Sequence, residues 1–171
     1  MKNLSEQLQT RKASDLYRTR RIIDGPQGVE VRLDGKSYLS FCSNDYLGLA
    51  NHPDVVTAFH RGLDEYGAGS GAAHLITGHS RPHHELEEEL ADFTGRQRAL
   101  LFSTGYMANL GVLTALTGRG DCIFEDRSNH ASLLDGARLS DARLLRYRHC
   151  DVNDLQGKLT GRLSGEKLIA T

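Results

Sequence analysis

Apolar residues recur at multiples of four at the start of the chain. Leu4, Leu8 and Leu16 stand among charged and polar neighbours, and this spacing predicts an amphipathic helix from Leu4 to Arg20. The period then shortens to two: Val29, Val31 and Leu33 alternate with polar residues, Asp34-Gly35 supplies a tight turn, and Ser37 to Phe41 resumes an apolar pattern. This predicts a β-hairpin. Asn51-His52-Pro53 opens a helix to about Tyr66, because a proline in the first turn costs no helical hydrogen bond. Gly67 to Gly78, GAGSGAAHLITG, reads as loop, since glycine allows positive φ and close backbone approach while weakening regular structure. Ser80 with Pro82 starts the next helix, which places Leu86, Leu90 and Phe93 on one face, turns its acidic residues to water and stops at Thr94-Gly95.

From Arg98 the pattern becomes regular. Apolar strands are expected at Ala99 to Phe102, Cys122 to Phe124, Leu144 to Tyr147 and Leu168 to Ala170, with helical segments between them. This βαβαβαβ alternation predicts an α/β fold with a mainly parallel sheet and right-handed crossovers, in which ligands collect at the carboxyl ends of the strands. The sequence stops at the carboxyl end of the fourth expected strand, so the sheet is expected to be unfinished, with an apolar edge that makes the isolated chain aggregate or fold only in part.

Composition narrows the function. The 171 residues suffice for one core, and 39% hydrophobic and 25% charged residues are the balance of a globular protein. A formal net charge of -1 offers no general attraction to nucleic acid or anionic membrane. The amino-terminal run MKNLSEQLQTRK has no apolar stretch suited to a signal peptide or a membrane span, which makes a cytoplasmic location the expectation. Cys42, Cys122 and Cys150 are odd in number and form no C-x-x-C pair, and the eight histidines show no H-E-x-x-H pattern, so no metal site is expected.

Two loops are the places for chemistry. Ser103-Thr104-Gly105-Tyr106 follows the first expected strand and leads into the apolar helix MANLGVLTAL, an arrangement that suits a phosphate at a helix amino terminus and equally describes an ordinary βα turn. Glu125 to His130 follows the second strand and precedes a helix starting near Ala131. His130 there could stack on a planar ligand, move a proton, or serve the fold alone.

Five ordered runs carry a resemblance: SNDYLGL at Ser43 to Leu49, GAGSGAAHLITG at Gly67 to Gly78, ELEEELADF at Glu85 to Phe93, STGYMANLG at Ser103 to Gly111 and NHASLLDG at Asn129 to Gly136. Together they resemble the α-oxoamine synthases, acyltransferases of the fold-type I, aspartate aminotransferase-like class that depend on pyridoxal 5'-phosphate (PLP). The resemblance implies an amino-terminal helix and β-hairpin over 1–52 and the first, incomplete part of a PLP-binding large domain over 53–171. It implies that Gly105 and Tyr106 bind the cofactor, that His130 stacks on its ring and approaches the substrate, that Asn44 holds the amino-acid carboxylate, and that Arg18, or else Arg20 or Arg21, meets the acyl substrate.

The wording GSGAAHLITGHS resembles the members that condense L-alanine with a pimeloyl thioester of CoA or an acyl carrier protein, with loss of carbon dioxide; glycine-using members are the alternative. A homodimer is implied for the full-length enzyme. None of Lys2, Lys12, Lys36, Lys158 and Lys167 matches the family's Schiff-base lysine motif, so the chain alone is expected to lack a catalytic lysine and to be inactive. A non-catalytic partner subunit, or an unrelated nucleotide-binding α/β domain, are the other readings.

Overall fold

A computed structural model describes residues 3–161 and 164–171, so Lys2 lies outside the described residues. The chain divides into two compact units, Met1–Gly69 and Ser70–Thr171.

The first unit begins with α1, Leu4–Ala13, which stops well short of the expected Arg20. The cause is a local C-cap. Asp15 takes a left-handed φ of 53°, its N–H bonds the Lys12 carbonyl, and the Leu16 N–H bonds the Arg11 carbonyl, the paired reverse bonds of a Schellman motif. No residue of α1 is buried, so its leucines do not form the expected packed stripe. Three antiparallel strands follow in the order β1 (Ile23–Asp24), β2 (Glu30–Leu33) and β3 (Lys36–Leu39). The expected hairpin is β2–β3, with Leu33 opposite Lys36 and both turn residues at positive φ, Asp34 at 50° and Gly35 at 73°. Helix α2, Pro53–Tyr66, begins where the proline predicts, capped by the His52 side chain.

In the second unit the glycine-rich loop is interrupted by a π-helical turn, His74–Gly78, which composition did not suggest. The Gly78 N–H reaches back to the Ala73 carbonyl at 3.1 Å, and a Cβ on Gly78 would come within 2.3 Å of the Ala72 carbonyl oxygen. Close approach, rather than looseness, is the use of that glycine. Helix α3, Arg81–Phe93, starts from a capping box between Ser80 and His83. Ala91 is its buried residue, while Phe93 is 87% exposed. Glu87 is half-buried instead of facing water, because it accepts the Leu101 N–H at 3.1 Å.

That bond marks a second departure: Ala99 to Phe102 joins no ladder among the described residues, so the expected first strand is not formed. A strand requires a neighbour to exchange hydrogen bonds with, and here a carboxylate takes the Leu101 amide instead.

The remaining elements follow the predicted alternation: α4 (Gly105–Leu116), β4 (Cys122–Asp126), α5 (Ala131–Leu139), β5 (Arg143–Tyr147), α6 (Val152–Leu159) and β6 (Lys167–Ala170). The sheet is parallel with order β5-β4-β6, so β4 is central. All five β4 residues are buried, as a strand covered on both faces requires. Ile123 packs with Leu113, Ala137 and Ala170, while Phe124 packs with Cys122 and Tyr147 over Leu155 and Leu159. Ile123 and Phe124 are both fully buried, each worth roughly 1.5–3 kcal/mol in removed apolar surface. A Cβ on Gly136 would lie 2.9 Å from Leu113 Cδ1 and 3.1 Å from the Asn109 carbonyl oxygen, so this glycine allows α4 and α5 to touch closely. No helix among the described residues is long and apolar enough to cross a membrane.

Candidate functional site

The carboxyl end of β4 and the amino ends of α4 and α5 converge in the second unit. Thr104 is the N-cap of α4: its hydroxyl accepts the Met107 N–H at 3.2 Å and its carbonyl the Ala108 N–H at 3.1 Å. The N–H groups of Gly105 and Tyr106 stay unpaired among the described residues, as the first donors of a helix do when no side chain reaches them. A Cβ added to Gly105 would meet no atom within 4 Å. The space beside Gly105 is therefore open, and two N–H donors stand at the positive end of a 12-residue helix.

His130 is the N-cap of α5, its ring exposed and its Nδ1 accepting the Ser132 N–H at 3.2 Å. The Tyr106 and His130 rings lie with centroids 6.4 Å apart at 79°, edge to face. The Tyr106 hydroxyl donates to Asp135, and that bond, followed by burial and the nearby negative charge, raises the phenol pKa above its ordinary value. Gly105, Tyr106 and His130 are thus brought together in one unit. Arg18 and Asn44 belong to the first unit. Both are exposed, Arg18 in the irregular segment after α1 and Asn44 between Ser43 and Asp45, which line a hollow with Tyr46 and Phe41.

Three further side chains support the site. Asn109 Nδ2 donates to Ser132 Oγ at 2.8 Å, and Ser132, fully buried, sets its Oγ 2.7 Å from His130 Nδ1. Asp135 completes the group through Tyr106. In sequence these three are polar residues scattered in apolar helices, with no spacing that announces them. The available signal was that Asn109 and Asp135 interrupt the runs MANLGVL and ASLLDG.

Asp126, at the end of β4, accepts N–H bonds from Ser128 at 2.7 Å and Cys150 at 2.9 Å and lies 2.9 Å from His149 Nδ1; these bonds hold its carboxyl below the usual range against the opposing effect of burial. Asp126, His149 and Cys150 set ligand-type atoms within 4.8 Å of one another, although the carboxylate is already engaged by three donors. His74, His79, His83 and His84 also gather, with His79 Nδ1 2.9 Å from His74 Nε2 and His79 Nε2 3.3 Å from His84 Nδ1. Folding, not sequence spacing, assembles both groups. Of the lysines in this unit, Lys158 pairs with Asp154 on α6, and Lys167 stands at the amino end of β6, the sheet edge opposite Asp126.

Comparison with known proteins gives a consistent picture. The family described as aminotransferase class I and II matches residues 36–171. The 8-amino-7-oxononanoate synthase of Nitrosococcus oceani is 60% identical over 165 residues, covering 96% of this chain and 44% of that protein. The enzyme of the same name from Methylococcus capsulatus is 62% identical over 160 residues, covering 94% and 41%. Among solved structures, a serine palmitoyltransferase variant from S. paucimobilis with a bound PLP–myriocin aldimine superposes with a TM-score of 0.83 at 34% identity, covering 97% of this chain and 44% of that one. The chain thus spans less than half the length of the curated relatives it matches.

Proposed function

The chain belongs to the aminotransferase class I and II family, and on that premise we propose that it is part of a PLP-dependent α-oxoamine synthase of the 8-amino-7-oxononanoate synthase type. Such an enzyme condenses L-alanine with a pimeloyl thioester of CoA or an acyl carrier protein, releases carbon dioxide and the free thiol, and serves biotin biosynthesis as a cytoplasmic homodimer. The observation that carries the reading is the convergence of the open amino end of α4 with the exposed ring of His130.

These residues fit the cofactor. The unpaired Gly105 and Tyr106 N–H groups offer hydrogen bonds and a favourable dipole to its phosphate, and the His130 ring offers a flat face to its pyridine ring. Bound there, PLP supplies an electron sink for charge that develops at the amino acid's α-carbon. The protein's share is orientation: Asp135 holds the Tyr106 ring beside the opening, and the cap bond holds His130 across from it. Asn44 anchors the amino-acid carboxylate and Arg18, or else Arg20 or Arg21, meets the acyl substrate, as the family resemblance assigns them. Lys158 pairs with Asp154 on α6 and Lys167 stands at the opposite end of the sheet, which supports the expectation that these 171 residues lack the catalytic lysine and are inactive alone.

The test is made on the protein expressed from its native gene. PLP binding is followed by absorbance, and product is assayed with L-alanine plus pimeloyl-CoA against glycine plus acetyl- or succinyl-CoA. Turnover with the alanine pair supports the proposal. Turnover with glycine alone would move the assignment to 2-amino-3-ketobutyrate ligase or 5-aminolevulinate synthase, and absence of any PLP spectrum would sink it.

A further inference from the structure

The hydrogen bonds around His130 fix where its proton sits. Nδ1 faces the Ser132 backbone N–H at 3.2 Å and Ser132 Oγ at 2.7 Å. A backbone N–H can only donate, so Nδ1 is the bare nitrogen and the neutral ring carries its hydrogen on Nε2. The serine hydroxyl must agree. Ser132 is fully buried, its Oγ receives the Asn109 amide at 2.8 Å, and Nδ1 is the acceptor available to its hydrogen.

With the Asn109 amide turned end for end, the hydroxyl would donate to Asn109 and Nδ1 would have to carry the proton. That proton would then meet the Ser132 N–H head on and break the cap bond that the structure shows. Gly136 makes the arrangement possible, because a larger residue one turn beyond Ser132 would push against the backbone of Asn109 and Leu110.

We propose that Asn109 and Ser132 are positioning residues that lock His130 as the Nε2–H tautomer, so that the exposed edge of the ring presents a hydrogen-bond donor to an oxygen of the bound substrate. The lock itself is a property of the unloaded chain. Its use toward substrate rests on the cofactor-site reading above. The chain of donors runs one way: Asn109 amide to Ser132 oxygen, Ser132 hydroxyl to Nδ1, and Nε2–H outward. Reversing its first member should reverse the rest. In Asn109→Asp a carboxylate accepts the Ser132 hydroxyl, the serine oxygen turns a lone pair toward Nδ1, and the hydrogen is drawn from Nε2 to Nδ1 at the expense of the cap bond from the Ser132 N–H.

The experiment is long-range proton–nitrogen NMR on the purified protein from its native gene with labelled imidazoles, at alkaline pH where the rings are neutral. The His130 signal is identified by its loss in His130→Gln. In the wild type, Nε2 should read as protonated and Nδ1 as bare. Asn109→Asp should transfer a major share of the hydrogen to Nδ1, and Ser132→Ala, which keeps the backbone N–H but loses the hydroxyl, should keep Nε2–H as the major form with a measurable share on Nδ1, while the other seven histidines keep their patterns.

A wild-type ring protonated on Nδ1, or an Asn109→Asp protein whose His130 pattern is unchanged, overturns the proposal. If Asn109→Asp does not fold, the wild-type and Ser132→Ala spectra still decide, because a Ser132→Ala ring as fully protonated on Nε2 as the wild type overturns the proposal. A PLP absorbance titration on the same samples separates the two claims: an intact lock without PLP binding defeats the cofactor reading alone, and PLP binding without the lock defeats this one alone.

Discussion

Glu125 is the residue whose chemistry is least like its surroundings. It sits on the central strand, fully buried, and neither carboxylate oxygen has a hydrogen-bond partner among the described residues. Burial pushes its pKa up, against the opposing pull of Arg146 and Arg138. Unfolded, such a group ionises near pH ~4.3; folded, it keeps its proton to higher pH, so stability falls as pH rises from the unfolded value through the folded one. Glu125→Gln, which keeps the shape and removes the ionisation, should raise the thermal midpoint at neutral pH, with the gain fading below about pH 4. Scanning calorimetry of both proteins across pH checks this, and an equal midpoint throughout would show that the carboxyl finds a partner or water.

Nothing in the run CIFED announces that environment. A glutamate between a strand and a turn reads as the first polar residue of the loop, and only the overlying helices make it buried. His130 and Gly105 were legible for the opposite reason: each stands at a strand-to-helix transition, where position follows from the alternation of elements itself. Ser132, Asn109 and Asp135 act through contacts between helices, which no local pattern encodes.

At the scale of elements, three aspartates bind the ends of the second unit together. Asp121 accepts N–H bonds from Gly118 and Glu166, joining the turn after α4 to the entry of β6. Asp126 accepts the N–H groups of Ser128 and of Cys150 after β5, and Asp154 on α6 holds the Arg148 N–H. Each is held below its ordinary pKa, chiefly by these backbone donors. A depressed folded pKa gives stability that is present above the unfolded value of about 3.9 and lost as pH falls through the folded value. The second unit should therefore lose stability steeply below pH ~4, and Asp126→Asn should flatten that loss while lowering stability at neutral pH. Acid titration followed by far-ultraviolet circular dichroism measures both; an unchanged acid limb in the variant would contradict the assignment.

Helices α2 to α6, the hairpin and the three paired strands were readable from period and punctuation because their signals are local. The departures were a local cap at Asp15, a close approach at Gly78 and one missing non-local partner. Helix α1 stopped at a left-handed Asp15, and Ala99 to Phe102 has strand composition without a strand's partner. The loop containing His74–Gly78 wound into a π turn because Gly78 alone fits under the Ala72 carbonyl.

For the whole molecule, the notable feature is apolar surface left open. Phe41, Tyr46 and Leu75 are 94%, 89% and 94% exposed, and Leu100 is 68% exposed on a segment that pairs with no strand among the described residues. The two outer strands, β5 and β6, each have one unpaired edge within the described sheet. Surfaces of this kind associate in water. The 171-residue chain by itself should bind a hydrophobic dye and self-associate with rising concentration in sedimentation velocity; a dye-silent monomer across that range would count against it.

What the sequence by itself determined is the kind of molecule and the order of its parts. Period, caps and turn residues act over a few positions, so the βα alternation and the loops at Gly105 and His130 follow from local chemistry. Tertiary structure decided which strand is central, which carboxyl is buried and which serine and asparagine stand behind His130 Nδ1. Those are distances between elements far apart in the chain, and they exist only once Gly136 lets α4 and α5 meet and the sheet closes over β4.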